Sequence, residues 1–258
     1  MKYPVSEIKD YMQNWAKDEY QLSWDNSGSQ IEFKEKTDSV VLGLDLTDNL
    51  IEKAIETNSK LIITHHPMFF SGTKSIIEGS YLGDNIIKLI KNNISVFSYH
   101  TSMDIANNGV NDTLFEKLNL MNKKVLAREE EKSMGLVGDL SKSYTTEKLK
   151  KFLQDSLDYK KIKIYGKENN NIRKVAILGG SGADFISDAV RSGSDAFITG
   201  DIKYHDGQRA YENGILVFDV GHFCSEKMIL EKIKNNLEKN FKNLNFYIEE
   251  GNSYELDI

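Results

Sequence analysis

The chain has 258 residues, enough for one large α/β domain or two smaller ones around a buried core. Its 33 basic and 39 acidic residues give a net charge of −6, with no basic block long enough to track a phosphate backbone, so nucleic-acid binding through a charged face is disfavoured. The polar start "MKYPVSEIKDYMQNW" has no apolar secretory core, no segment approaches the roughly 18 apolar residues of a membrane span, and the single cysteine, Cys224, permits neither a disulfide nor a thiolate metal cage within the chain. A reducing cytoplasm is the expected location.

Val5, Ile8, Tyr11, Met12 and Trp15 recur at helical spacing and predict an amphipathic first helix. "WDNSG", Trp24 to Gly28, reads as a turn or loop. From Val40 the pattern becomes strand, helix, strand. "VVLGLDL" is a buried strand, "NLIEKAIETN" places Ile51, Ala54 and Ile55 on one helical face, and "KLIIT" is the next strand. Such spacing predicts parallel pairing through a right-handed crossover. The second strand runs directly into His65 and His66, and Pro67 holds His66 out of the helical region.

The same pattern returns later. "VAILGGSGADFISDAVRSGSDAFITGD", from Val175, aligns without a gap at an offset of 135 residues: Val40 meets Val175, Ile51 meets Ile186, and Thr64 meets Thr199. A second block, "ISVFSYHTSMD" from Ile94, matches "ILVFDVGHFCSE" from Ile215 at an offset of 121. Any two βαβ units share some pattern, but two blocks in the same order favour an internal duplication. The chain therefore divides into a first α/β repeat (1–121), a Lys- and Glu-rich middle insertion (122–172) read as surface helix and edge strand, and a second α/β repeat (173–258). The tail, "MILEKIKNNLEKNFKNLNFYIEE", reads as an amphipathic helix followed by an edge strand.

All five histidines, His65, His66, His100, His205 and His222, lie at or just after predicted strand ends. Residues beyond the carboxyl ends of parallel strands converge on a common crevice. His100 precedes Asp104 by four residues and His222 precedes Glu226 by four, so a helical turn at either place would bring each pair to one face. Imidazole with carboxylate suits zinc, iron or manganese, and several such ligands can hold two ions close together. An i,i+4 surface pair would account for His222 and Glu226 alone, but not for the recurrent spacing or for adjacent His65 and His66. Asp201 and His205 in "TGDIKYHD", together with His100, are candidate proton-transfer groups. Asp45 reads either as a hydrogen-bond acceptor behind a metal ligand or as a helix-start residue. In "GGSG" the amides at Gly180 and Gly182 either cradle a phosphate or form a tight turn. Cys224 reads as a small packed residue.

Taken in order, "WDNSG", "LGLDLT", "LIITHHP", "SYHTSMDIANNGVNDTL", "GLVGDL", "VAILGGSGADFI", "FITGDIKYHDGQRA" and "VFDVGHFCSEK" cover nearly the whole chain. It resembles the GTP cyclohydrolase type 2 homologs, the NGG-interacting-factor-three-like family of dinuclear-metal proteins. The resemblance implies two intertwined, duplicated α/β repeats with mixed sheets and a ring-like homohexamer with metal pairs facing an internal cavity. It implies two divalent ions per chain held by His65, His66, Asp104, His222 and Glu226, with Glu226 as the bridging carboxylate and His100 beside the site. Departures are few. Asn119 stands where the family usually has glycine, and Phe69-Phe70 stand where smaller aliphatics are common, which would narrow the pocket entrance. The implied activity is hydrolytic ring opening of GTP with release of formate, or hydrolysis of a related phosphorylated small molecule. A fold with metal does not by itself fix a substrate. The alternative is a non-enzymatic metal-binding oligomer that stores or delivers ions, or serves as a partner-binding scaffold.

Overall fold

The computed structural model describes residues 1–249 and 251; residues 250 and 252–258, at the end of the second repeat expected from the sequence, lie outside the described residues. The chain forms two compact units, Met1–Ala106 with Ile229–Ile258, and Asn107–Met228. No helix among the described residues is long and apolar enough to cross a membrane.

The first unit begins with β1 (Tyr3–Pro4) and α1 (Val5–Trp15). Val5, Ile8 and Met12 form the buried stripe of α1, as the helical spacing of the sequence predicts. β2 (Gly28–Ile31) and β3 (Lys36–Thr37) follow, β3 pairing antiparallel with β1. The βαβ series is β4 (Ser39–Gly43), α2 (Asp48–Glu56), β5 (Leu61–Thr64), α3 (Tyr81–Lys91) and β6 (Ser95–Ser98), ending in the short α4 (Thr101–Ile105). Thr47 and Ser80 start α2 and α3 by accepting hydrogen bonds from the Leu50 and Gly83 amides, satisfying donors that a helix start leaves open. β4, β5 and β6 are parallel, fully buried strands, and β2 lies antiparallel beside β6. Burial on both faces explains why these strands read as apolar runs without alternation.

The second unit opens with α5 (Val110–Lys117) and a long hairpin, β7 (Met121–Glu129) and β8 (Lys132–Tyr144). Asn119, in the link between α5 and β7, has φ 50°. Asparagine is among the few non-glycine residues that adopt this left-handed conformation readily. α6 (Thr146–Leu157) and the edge strand β9 (Lys163–Tyr165) lead to β10 (Ile172–Ser181), α7 (Ile186–Arg191), β11 (Ala196–Gly200), α8 (Tyr204–Glu212), β12 (Leu216–Asp219) and α9 (His222–Glu226). The sheet order is β7-β8-β10-β11-β12-β9, with β10, β11 and β12 parallel and β8 and β9 antiparallel to their neighbours. Its core gathers Leu149, Leu153 and Leu157 of α6 against Ile177, Ile198 and Phe218 of the strands. The chain then returns to the first unit through α10 (Met228–Asn240) and β13 (Asn245–Ile248), which pairs parallel with β4.

Strand register shows the duplication directly. Leu42 pairs with Ile63 and Thr64 with Ser98 in the first sheet; Ile177 pairs with Ile198 and Thr199 with Asp219 in the second. These pairs are related by the two sequence offsets, 135 residues through the first two strands and 121 at the third. The offset of 121 also superposes the limits of α4 on those of α9. Each series carries an antiparallel strand, β2 or β9, on its far side.

Ile63 and Ile198 are fully buried equivalents. Replacing either with alanine is expected to cost about 2–5 kcal/mol through lost burial and an unfilled cavity, read as a lowered urea midpoint with little change in slope.

Candidate metal centre

In the first unit, the parallel ladder continues past the end of β5. The His65 amide donates to the Gly43 carbonyl at 3.2 Å and the His66 amide to the Leu44 carbonyl at 2.8 Å. The Thr64 hydroxyl donates to the His66 carbonyl at 2.8 Å and lies 2.7 Å from the Ser98 hydroxyl, so the strand exit is fixed before the Pro67 turn. His65 is buried and the His66 side chain is 14 % exposed. One ring nitrogen from each of His65, His66 and His100 lies within 4.8 Å of the others, close enough to share one ion. Asp104, on α4, has Oδ1 3.7 Å from His65 Nε2.

Each of these imidazoles is held through Nδ1. His65 donates to the Tyr99 carbonyl at 2.8 Å, His66 to Asp45 Oδ1 at 2.8 Å and His100 to Asp25 Oδ1 at 2.8 Å. A carbonyl or carboxylate only accepts, so the proton sits on Nδ1 and Nε2 of the neutral ring keeps its lone pair. Metal-binding histidines are oriented in this way, and the acceptor raises the basicity of the ring.

The second unit repeats the device at the ends of β11 and β12. Asp201, in a left-handed conformation at φ 57°, accepts from His222 Nδ1 at 2.7 Å. His222 Nε2 then lies 3.2 Å from Glu226 Oε2 across α9. Asp219 accepts from the amides of Gly221 and Ile202, tying the start of α9 to the exit of β11. Gly180 has φ 70°, and a β-carbon there would lie 2.3 Å from Glu226 Oε1. A side chain here would be strained by the positive φ and would displace the tip of this carboxylate. A β-carbon on Gly182 would lie 2.3 Å from the Thr199 hydroxyl. The Gly180 amide donates to the Ser225 hydroxyl, so that N–H is already committed inside the fold.

Within the first unit the structure brings together His65, His66, His100 and Asp104, with Asp45 behind His66; within the second it joins His222, Glu226 and Asp201. Asp104, four residues after His100, faces His65. His205 stands on α8 against Tyr204 and 3.5 Å from Gln208, outside these pairs. Cys224 is buried in α9. Sequence reasoning missed Asp25, which it placed in a mere turn. Its side chain is buried and accepts from His100, from the amide and hydroxyl of Thr101 and from the Ser27 hydroxyl. Burial by itself raises the Asp25 pKa, but the hydrogen bond from His100 and the attraction of that ring when it is protonated, with hydrogen bonds from Thr101 and Ser27, outweigh it and hold the carboxyl well below the usual range. The available signal was the unspent carboxylate inside "WDNSG".

Fold and donors together define a duplicated α/β protein with an imidazole and carboxylate set suited to a divalent transition metal. The family described as Duf34/NIF3 (NGG1p interacting factor 3) matches residues 3–253, and the chain belongs to that family. A relative from Clostridium perfringens named "GTP cyclohydrolase 1 type 2 homolog" is 37 % identical over 223 residues, covering 83 % of this chain and 85 % of its own length. Among solved structures, reduced HcgD from Methanocaldococcus jannaschii matches with a TM-score of 0.86 at 25 % identity, over 97 % of this chain and 99 % of its own. A Bacillus cereus protein related to NIF3 shares the fold with a TM-score of 0.90 at 22 % identity, over 99 % of each chain.

Gly180→Ala is expected to push Glu226 aside and lower bound metal, measured by elemental analysis, while circular dichroism shows a retained fold. Asp25→Asn tests the buried acceptor. Because the folded pKa lies below the unfolded value of 3.8, ionised Asp25 contributes stability that is complete above that value and is lost as pH falls through the folded pKa. The variant should therefore be less stable than the parent at pH 7, and the gap should close in strongly acidic buffer, as followed by urea unfolding.

Proposed function

We propose that this chain is a metal-dependent hydrolase that holds two divalent ions through His65, His66, Asp104, His222 and Glu226 and acts on GTP or a related phosphorylated small molecule. The observation that carries this reading is the shared anchoring of the imidazoles: His65, His66 and His222 each give Nδ1–H to a fixed acceptor, which sets the orientation of the ring and of its Nε2. Asp104 and Glu226 supply carboxylate oxygens near two of those nitrogens. The set fits zinc, iron or manganese. The relatives' name supports the choice of substrate class. When bound, such ions supply Lewis-acid polarisation and a nucleophile from water near neutral pH.

The chain's own groups do the rest. Asp45 and Asp201 hold the rings of His66 and His222 in one orientation. His100, committed to Asp25 through Nδ1, accepts a proton at Nε2. The buried Asp25 carboxylate, with Thr101 and Ser27 bound to it, steadies the imidazolium that results. We further read the chain as a cytoplasmic homohexamer, following the family resemblance, which light scattering tests.

Untagged protein is expected to carry about two ions per chain and to release formate from GTP. His65→Ala and His66→Ala should each lose metal and formate release while keeping the parental circular dichroism spectrum. Full metal content in both variants overturns the ligand assignment. Retained metal without turnover of GTP or other phosphorylated compounds overturns the hydrolase and leaves a metal-storing or metal-delivering protein.

A further inference from the structure

Resting on the hydrolase reading for its place beside the site, we propose that Trp24 and Phe70 bound a subsite for a planar heteroaromatic ring, of nucleobase size, adjoining His100. Trp24 is 53 % exposed and Phe70 is 55 % exposed. Single exposed apolar side chains are ordinary, but these two converge on one imidazole. The Trp24 ring centroid lies 5.7 Å from that of His100 at 72°, and the Phe70 centroid lies 5.6 Å from it at 86°. Phe70 also stands on the wall of an open cavity of about 500 Å³, with Asp25, Asn26, Phe69, Ser71 and Thr73, and Trp24 adjoins that wall through its chain neighbour Asp25. That volume falls within the range of small-molecule sites, which combine apolar walls with a few polar groups.

The walls are tied together in the absence of any ligand. Asn26 Nδ2 donates to the Phe69 carbonyl at 2.6 Å, the Phe69 amide donates to Gln30 Oε1 at 3.1 Å, and Gln30 Nε2 donates to the Asn26 carbonyl at 2.7 Å. The loop after Pro67 is thereby clipped to the loop after Trp24, and Asp25 fixes the second loop from beneath. A pre-formed wall loses less entropy on binding than a mobile one.

The lining selects the ligand. Aromatic faces favour a flat π-system, and the amide and hydroxyl groups of Asn26, Ser71 and Thr73 can meet ring heteroatoms at its edge. An aliphatic chain would leave that polar rim unmatched.

The test uses metal-loaded protein and guanosine, a probe with the ring but no phosphate, in equilibrium dialysis. Trp24→Ala and Phe70→Ala are each expected to weaken guanosine binding about tenfold or more. Phe70→Tyr should retain binding, and all three variants should keep the parental metal content and circular dichroism spectrum. Equal affinity in the alanine variants overturns the proposal, as does failure of the parent to bind either guanosine or adenosine. Absence of formate release with ring binding intact overturns the hydrolase reading and leaves the subsite standing.

Discussion

The orientation of an imidazole is set by the hydrogen bond of one ring nitrogen, and four histidines here are held in this way through Nδ1. Tyr99 supplies a carbonyl to His65, while Asp45, Asp25 and Asp201 supply carboxylates to His66, His100 and His222. Hydrogen bonds to charged groups are worth about 1.5–3 kcal/mol each, enough to select one tautomer and one ring orientation. Polar residues at the ends of buried strands weaken the hydrophobic core. Thr64 and Ser98, and in the other unit Thr199 and Asp219, limit the loss by bonding to each other or to nearby backbone. The chemistry of the site is thus built into the hydrogen bonding of the strand exits.

The two repeats use one scaffold for different donors. Both place a five-residue helix after the third parallel strand, Thr101–Ile105 and His222–Glu226. In the first, the carboxylate is the fourth residue and the imidazoles come from the neighbouring strand exit. In the second, imidazole and carboxylate occupy the first and last residues of the helix, and the neighbouring exit holds Gly200 and Asp201. Asp201 acts as acceptor where its counterpart His66 is a ring to be held. Duplication preserved the register of the strands and let the residues beyond them diverge.

Much of this was legible in the sequence because apolar runs and histidines are local signals. The strands around Val40, Leu61, Val175 and Ala196, the first helix and the closing strand at Asn245 announce themselves by burial pattern. Two features did not. The hairpin from Met121 to Tyr144 exposes much of its surface, so Lys and Glu obscure strands of which only "MGLVGDL" read as apolar. Asp25 lies 75 residues from His100, and nothing within "WDNSG" states that its carboxylate will be buried against a distant imidazole. Long-range pairing of polar groups has no period to detect.

The return of α10 and β13 to the first sheet has a consequence for biosynthesis. Residues 107–228 are contiguous and carry all the strands of their own sheet. The first sheet lacks its β13 edge until Asn245–Ile248 has been made, leaving one side of β4 without its partner strand. On the ribosome, the unit encoded in the middle of the chain can therefore close before the unit that begins it, reversing the usual order in which N-terminal segments fold first. Until Asn245–Ile248 has emerged, β4 offers an open backbone edge of the kind that invites pairing with other chains.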